Sequence, residues 1–202
     1  WYTAQAPNGE YMVAGSRLTS GLTGGCVAMF HWQSPNPVFK AVFNDHPVEA
    51  VAINDDGSMI AAAIPDSLMV MDRSGQELWS YDIEDIGYPR SLDFDVSGDF
   101  LVASVDAGVG NRSRGRVLLF DGHGGGLIWI DNPASHGVPE AQIIRKIQIS
   151  NDSRWLMAAA ISADLPGMTN VIVYDLLSPT SSVPHYVSEI FSGNYSTDAD
   201  LA

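Results

Sequence analysis

The chain has 202 residues, 46% of them hydrophobic, a formal net charge of −14 and an isoelectric point near 4.4. That length suffices for one large or two small domains, and that apolar content for a buried core, which removes the disordered class. An acid excess of this size repels phosphate backbones and anionic lipid, so it argues against nucleic-acid binding and gives a well-hydrated surface.

A single cysteine, Cys26, excludes an internal disulfide and leaves the compartment open; within an apolar run it reads as a small core residue. No run reaches the ~18–20 apolar residues of a membrane-spanning helix, so direct membrane insertion is not expected. The chain begins at Trp1, which leads to the expectation of a processed product or an excised piece of something longer.

Taken in order, the chain is a series of short β-type runs separated by turns. Gln5-Ala-Pro-Asn-Gly9 is followed by the apolar Tyr11-Met-Val-Ala14. Ile53-Asn-Asp-Asp-Gly57 is followed by Met59-Ile-Ala-Ala62, Phe94-Asp-Val-Ser-Gly98 by Phe100-Leu-Val-Ala103, and Ile149-Ser-Asn-Asp-Ser153 by Trp155-Leu-Met-Ala158. The steps from Gly9 to Gly57, to Gly98 and to Ser153 are 48, 41 and 55 residues. Third strands follow at 26–30, 68–71, 117–120 and 171–174, the last three followed directly by Asp72, Asp121 and Asp175. Fourth strands fall at 38–43, 78–81, 127–130 and 186–191. The second unit, 48–81, is the most regular copy, with Asp-Gly and Ser-Gly hairpin signals at its turns.

A four-strand unit repeated every ~40–50 residues is the signature of a propeller blade. One such sheet cannot bury both faces alone, so the units must stack around an axis. Two units carry Gly-x-x-x-Trp, from Gly75 to Trp79 and from Gly125 to Trp129; the glycine suits a tight turn, and the indole offers a broad apolar face to a neighbouring sheet. These residues resemble the WD40-like and quinoprotein-like repeat arrays of bacteria and archaea, and the resemblance covers essentially the whole chain. It implies an all-β propeller and, for many such arrays, a place on the cell surface. No Gly-His pair opens the units and no Trp-Asp closes the third strands as in true WD40 repeats. The tryptophan-docking set of quinone enzymes is present only in the second and third blades.

The expected architecture is an all-β propeller of four-stranded antiparallel blades, at about 1–46, 47–87, 88–142 and 143–193, alone or within a larger propeller. Asp198-Ala-Asp-Leu201-Ala202 aligns with the first strands of the second and third units, so 194–202 is expected to start a fifth blade; the alternative is a polar tail.

In such an array the long loops share one rim with the connections between blades, and binding concentrates there. The connections at 44–48, 82–89 and 131–142 carry Asp45, His46, Asp82, Glu84, Asp85, Asp131, His136 and Glu140. Carboxylates and imidazoles converging on an axis could hold a divalent cation; the plainer reading is solvated loop residues. Asp93-x-Asp95-x-x-Gly98-Asp99 lacks the full ligand pattern of a calcium loop and reads as turn acids. Arg112 and Arg114, beside Arg116, form the one basic cluster, suited to an acidic partner or to solvent. Asn111, Asn151 and Asn194 head sequons in turns or loops, which matter in an exported protein.

No Gly-x-Ser-x-Gly nucleophile and no phosphate loop with a lysine occurs. No catalytic residue, cofactor or metal ligand is assigned. The expected function is a non-catalytic protein-interaction or structural module, extracellular or at the cell surface, with a protein partner or further repeats of the same chain. The alternative is a propeller enzyme of quinoprotein or metal-assisted hydrolase type using acids near the axis; a cytoplasmic scaffold comes third.

Overall fold

The structure, a computed structural model, describes residues 2–17, 24–107, 115–136, 142–162, 168–177 and 183–191. Its strands are β1 (Tyr2–Gln5), β2 (Tyr11–Arg17), β3 (Gly25–His31), β4 (Pro37–Phe43), β5 (Ala50–Ile53), β6 (Met59–Ile64), β7 (Ser67–Asp72) and β8 (Glu77–Asp82). They continue with β9 (Tyr88–Phe94), β10 (Phe100–Asp106), β11 (Gly115–Asp121), β12 (Leu127–Asp131), β13 (Gln142–Ile149), β14 (Trp155–Ser162), β15 (Met168–Asp175) and β16 (Tyr186–Phe191). A 3-10 turn, Pro133–His136, is the one helical element among the described residues, and no helix there is long and apolar enough to cross a membrane. Each consecutive set of four strands forms its own antiparallel sheet in chain order, so the chain is an all-β propeller array, with four blades among the described residues.

Strand β6 shows why the sheets must stack. It is buried along its whole length, and since strand side chains alternate between faces, both faces need cover. Ile60, Ala62 and Ile64 join Val13, Val27 and Met29 of the first blade. Met59, Ala61 and Ala63 join Leu92, Leu101, Leu118 and Phe120 of the third. A further core links the third and fourth blades through Leu119, Trp129, Ile147, Leu156 and Tyr174. Cys26 departs from its expected place: it is half-buried, with Sγ 3.2 Å from Ser16 Oγ. Val27 and Met29 take the buried face of β3, and the alternation turns Cys26 to the other.

The first strands pack side by side, β1 on β5, β5 on β9 and β9 on β13, while the fourth strands carry exposed Val38, Val42, Leu78 and Ile130. No comparable contact joins β13 to β1 among the described residues. The four blades therefore form an arc whose inner side is lined by the first strands.

The repeated turns after these strands have a common mechanism. Gly57 and Gly98 have φ of 69° and 81°, a left-handed conformation that favours glycine, and Ser153 takes the same place at φ 56°. The side chain closing each turn accepts the N–H that opens the second strand: Met59 N to Asn54 Oδ1 at 3.0 Å, Phe100 N to Asp95 Oδ1 at 2.8 Å, and Trp155 N to Ser150 Oγ at 2.9 Å. Of the Asp93–Asp95 pair, only Asp95 is thus a turn acid.

Between blades the Gly-x-x-x-Trp motif forms a dock. Trp79 Nε1 donates to the Gly122 carbonyl at 2.7 Å, and a Cβ on Gly125 would fall 2.6 Å from the Trp79 ring. Phe39 occupies the matching position against Gly75, where a Cβ would come within 2.7 Å of the ring. The face with these turns also carries one long connection. The third and fourth strands of the last blade are joined by 176–185, against 122–126 in the third. Leu176-Leu-Ser-Pro179 follows Asp175 there, with no glycine to close a tight turn.

Candidate functional site: the rim and the axial groove

The first strands all run in one direction, so their starting ends share a rim with the blade connections. On this rim Asp45, Asp82, Glu84 and Asp85 are exposed. Asp82 turns back on its own loop, Oδ1 accepting the Glu84 N–H at 2.9 Å. His46 Nε2 lies 3.5 Å from Asp66 Oδ2. Asp131 is a buried strand end, not a loop residue: its carboxylate accepts the Tyr174 hydroxyl at 2.6 Å and faces His136 Nε2 at 2.8 Å. Burial, then the Asp131 charge, pushes the Tyr174 phenol well above its usual range. Among the described residues no three His, Cys, Asp or Glu side chains come together in a way that could hold a metal. The rim acids are spread over separate connections instead of converging. Arg112, Arg114, Glu140, Asn111 and Asn194 lie outside the described residues; Asn151 is exposed in the turn after β13.

A second rim feature is carried by no local pattern in the sequence. Glu49, 2% exposed, takes the Arg17 guanidinium and the Tyr2 hydroxyl (3.3 Å) on Oε2. The Tyr88 hydroxyl stands 3.4 Å from the same guanidinium. Burial and then Glu49 push the Tyr88 phenol up to about 12.

Inside the arc the first strands enclose a groove of about 500 Å³, lined among others by Arg90, Asp93, Asp95, Arg145, Lys146 and Gln148. Alternate residues of β9 and the turn after it hold β13 and its turn here. Ile147 N–H donates to Ser91 Oγ at 3.3 Å, Ile149 N–H to Asp93 Oδ2 at 2.7 Å, and the Ser153 hydroxyl to Asp95 Oδ2 at 2.8 Å. Burial raises the Asp93 carboxyl to about 7; the Ile149 N–H and the Lys146 charge offset only part of that.

Arg90 and Arg145 occupy corresponding places, four residues before Phe94 and Ile149. Each is the extra residue of a β-bulge: pairing shifts from Ser91↔Ser104 to Pro89↔Val105 around Arg90, and from Lys146↔Ala159 to Ile144↔Ala160 around Arg145. A bulge leaves one residue out of the ladder and re-aims its side chain. Nothing in the turn or strand patterns announced these arginines. Aligning the residues before each Gly or Ser turn would have placed Arg145 over Arg90.

No protein-family model matches the chain, and no curated protein does. Solved structures match widely, 990 chains in all, which makes the fold common and unspecific for activity. The chain is similar to Kuenenia stuttgartiensis hydrazine synthase, at TM-score 0.70 and 16% identity over 94% of this chain and 49% of that one. It is also similar to the Cps50 (Swd1) β-propeller domain of Myceliophteria thermophila, at TM-score 0.63 and 16% identity over 93% of this chain and 56% of that one. The chain thus spans about half the length of these solved chains. At such identities the likeness shows the propeller fold.

Proposed function

We propose that this chain is a non-catalytic protein-interaction or structural module of the WD40-like and quinoprotein-like repeat kind, placed outside the cytoplasm or at the cell surface. The observation that carries this reading is how the rim uses its acids. Asp131 is consumed by Tyr174 and His136, Asp82 by its own turn, and the exposed acids face solvent on two connections, Asp45 on one and Glu84 with Asp85 on the next. Charges dispersed along the rim of a rigid scaffold suit contact with a partner's surface. The likeness to the Swd1 propeller domain and the Trp79 dock are in keeping with it, and the sequon at exposed Asn151 with an exported chain.

A propeller enzyme is the second reading, favoured by one observation: Asp93, raised to about 7, lines the groove, and perturbed carboxyls in clefts are often functional. Two measurements test the first reading. Protease treatment of intact source cells should release peptides of this chain, and carboxylate-directed cross-linking should join a partner to Glu84 or Asp85. Protection of the chain in intact cells removes the surface placement. Cross-links confined to the opposite face, near Asn8, Asp56 and Arg73, remove the rim.

A further inference from the structure

We propose that the axial groove is a binding site for a small anion bearing carboxylate or phosphate groups, held by Arg90, Arg145 and Lys146. The proposal goes beyond the rim reading and concerns a different surface.

The charge distribution is the first argument. The chain has 10 Lys and Arg against 24 Asp and Glu, yet three of those cations line this one groove, all on β9 and β13. A cleft focuses the field of the charges that line it, so a local cationic wall attracts anions even on an acidic protein.

The second argument is the difference between the two bulged arginines. Arg90 has a built-in counter-ion: its Nε and Nη2 reach Asp106 Oδ2 at 3.1 and 2.8 Å, and its guanidinium lies 5.0 Å from the Tyr88 ring centre. Asp106 stands opposite Tyr88 in the ladder. In the next blade the corresponding pair is Ile161 opposite Ile143. The fold thus repeats the arginine and its bulge but puts isoleucine where the carboxylate was. Arg145 is exposed and has no ion pair among the described residues. Its backbone is nonetheless fixed, because the Ser104 hydroxyl donates to the neighbouring Ile144 carbonyl at 3.3 Å.

The third argument concerns the acids that share the groove. Asp95 is buried and already accepts from the Phe100 N–H and the Ser97 and Ser153 hydroxyls. Asp93 gives Oδ2 to the Ile149 N–H, and its raised pKa leaves it about half protonated near neutral pH. Asp55 sits at the far end, where its N–H meets the Val96 carbonyl. None of these is placed to neutralise Arg145, and the volume of about 500 Å³ matches a small-molecule site.

Inorganic pyrophosphate and citrate, titrated separately into the protein at low ionic strength and followed by calorimetry, test this. Saturable binding of one probe is expected: pyrophosphate for a phosphate ligand, citrate for a carboxylate ligand, both for a site that reads charge alone. Arg145→Gln and Lys146→Gln should each weaken Kd about tenfold, the size of one lost charge-assisted contact, with unchanged urea midpoints. Arg154→Gln, on a surface arginine outside the groove, should leave Kd unchanged. Absence of saturable binding by both probes overturns the proposal, as does binding that Arg145→Gln and Lys146→Gln leave intact.

Discussion

The indole N–H of Trp79 donates to the carbonyl of Gly122 across the gap between the second and third blades, at 2.7 Å. The same ring tilts against Phe120 at 5.9 Å between centroids and covers Gly125, whose φ of 69° and missing Cβ make the approach feasible. One residue thus supplies both apolar area and a directed bond to the blade interface. Trp79→Phe keeps an aromatic ring but loses the bond and part of the area, and should cost about 1–2 kcal/mol. Trp79→Ala should cost about 3 kcal/mol, as large-to-small changes in packed sites do. Gly125→Ala should destabilise by at least about 1 kcal/mol, since it meets strain at positive φ and a clash with the ring. Urea denaturation checks all three; an unchanged midpoint for Gly125→Ala would mean the dock is not formed.

The Asp131–Tyr174 bond does the equivalent work between the third and fourth blades. Tyr174 is fully buried and Asp131 nearly so, so removing the acceptor leaves a hydroxyl in an apolar site. Asp131→Ala should cost about 2 kcal/mol and Tyr174→Phe about 1 kcal/mol. The double variant should be less damaging than the sum, because the second change removes the group that the first left unpaired. A strictly additive cycle counts against a direct bond. In an alkaline absorbance titration of the folded protein, Tyr174→Phe should match the parent through the range where ordinary tyrosines ionise.

Asp95 predicts the cost of losing a turn cap. Its buried carboxylate accepts the Phe100 N–H and the Ser97 and Ser153 hydroxyls. Asp95→Asn keeps an acceptor for the Phe100 N–H and is expected to be mild, whereas Asp95→Ala orphans several donors and should cost about 2–3 kcal/mol. Hydrogen exchange at Phe100 is the sensitive readout: it should rise in Asp95→Ala and stay slow in Asp95→Asn.

The fold was legible because its signals are local and repeated. The left-handed turn glycines, the capping Asn54 and Asp95, and the Gly75–Trp79 and Gly125–Trp129 spacing each arise within a few residues, and repetition separates them from chance. The groove was not legible for the opposite reason. Ser91, Asp93 and Asp95 act on β13, more than fifty residues later in the chain, and no local pattern reports what faces an alternate strand position. Asp131 was misplaced by the same logic. Its burial is imposed by Tyr174 from the following blade, while its own neighbourhood, Asp131-Asn-Pro, reads as a loop. Bulges at Arg90 and Arg145 also escape a two-residue period, since they break it.

Asp93 sets the pH dependence of the third-to-fourth blade contact. Its carboxyl stands at about 7 in the fold, against an ordinary value of 3.8, with burial the main cause. The folded state therefore holds this proton more tightly than the unfolded chain does. The associated stability is complete below about pH 4 and is lost as pH rises through 7. Asp56, Asp72 and Asp152 work in the other direction. Hydrogen bonds from Ser58, Ser74 and Ser150 respectively lower their carboxyls, so their contribution is present at neutral pH and lost on acidification below about 4. The urea midpoint should therefore be highest in the mildly acidic range and fall between about pH 5 and 8. Asp93→Asn keeps an oxygen for the Ile149 N–H and has no charge to bury, so its midpoint should fall less over that interval and exceed the parent's at pH 8. Parallel pH profiles for parent and Asp93→Asn would assign the slope to some other group.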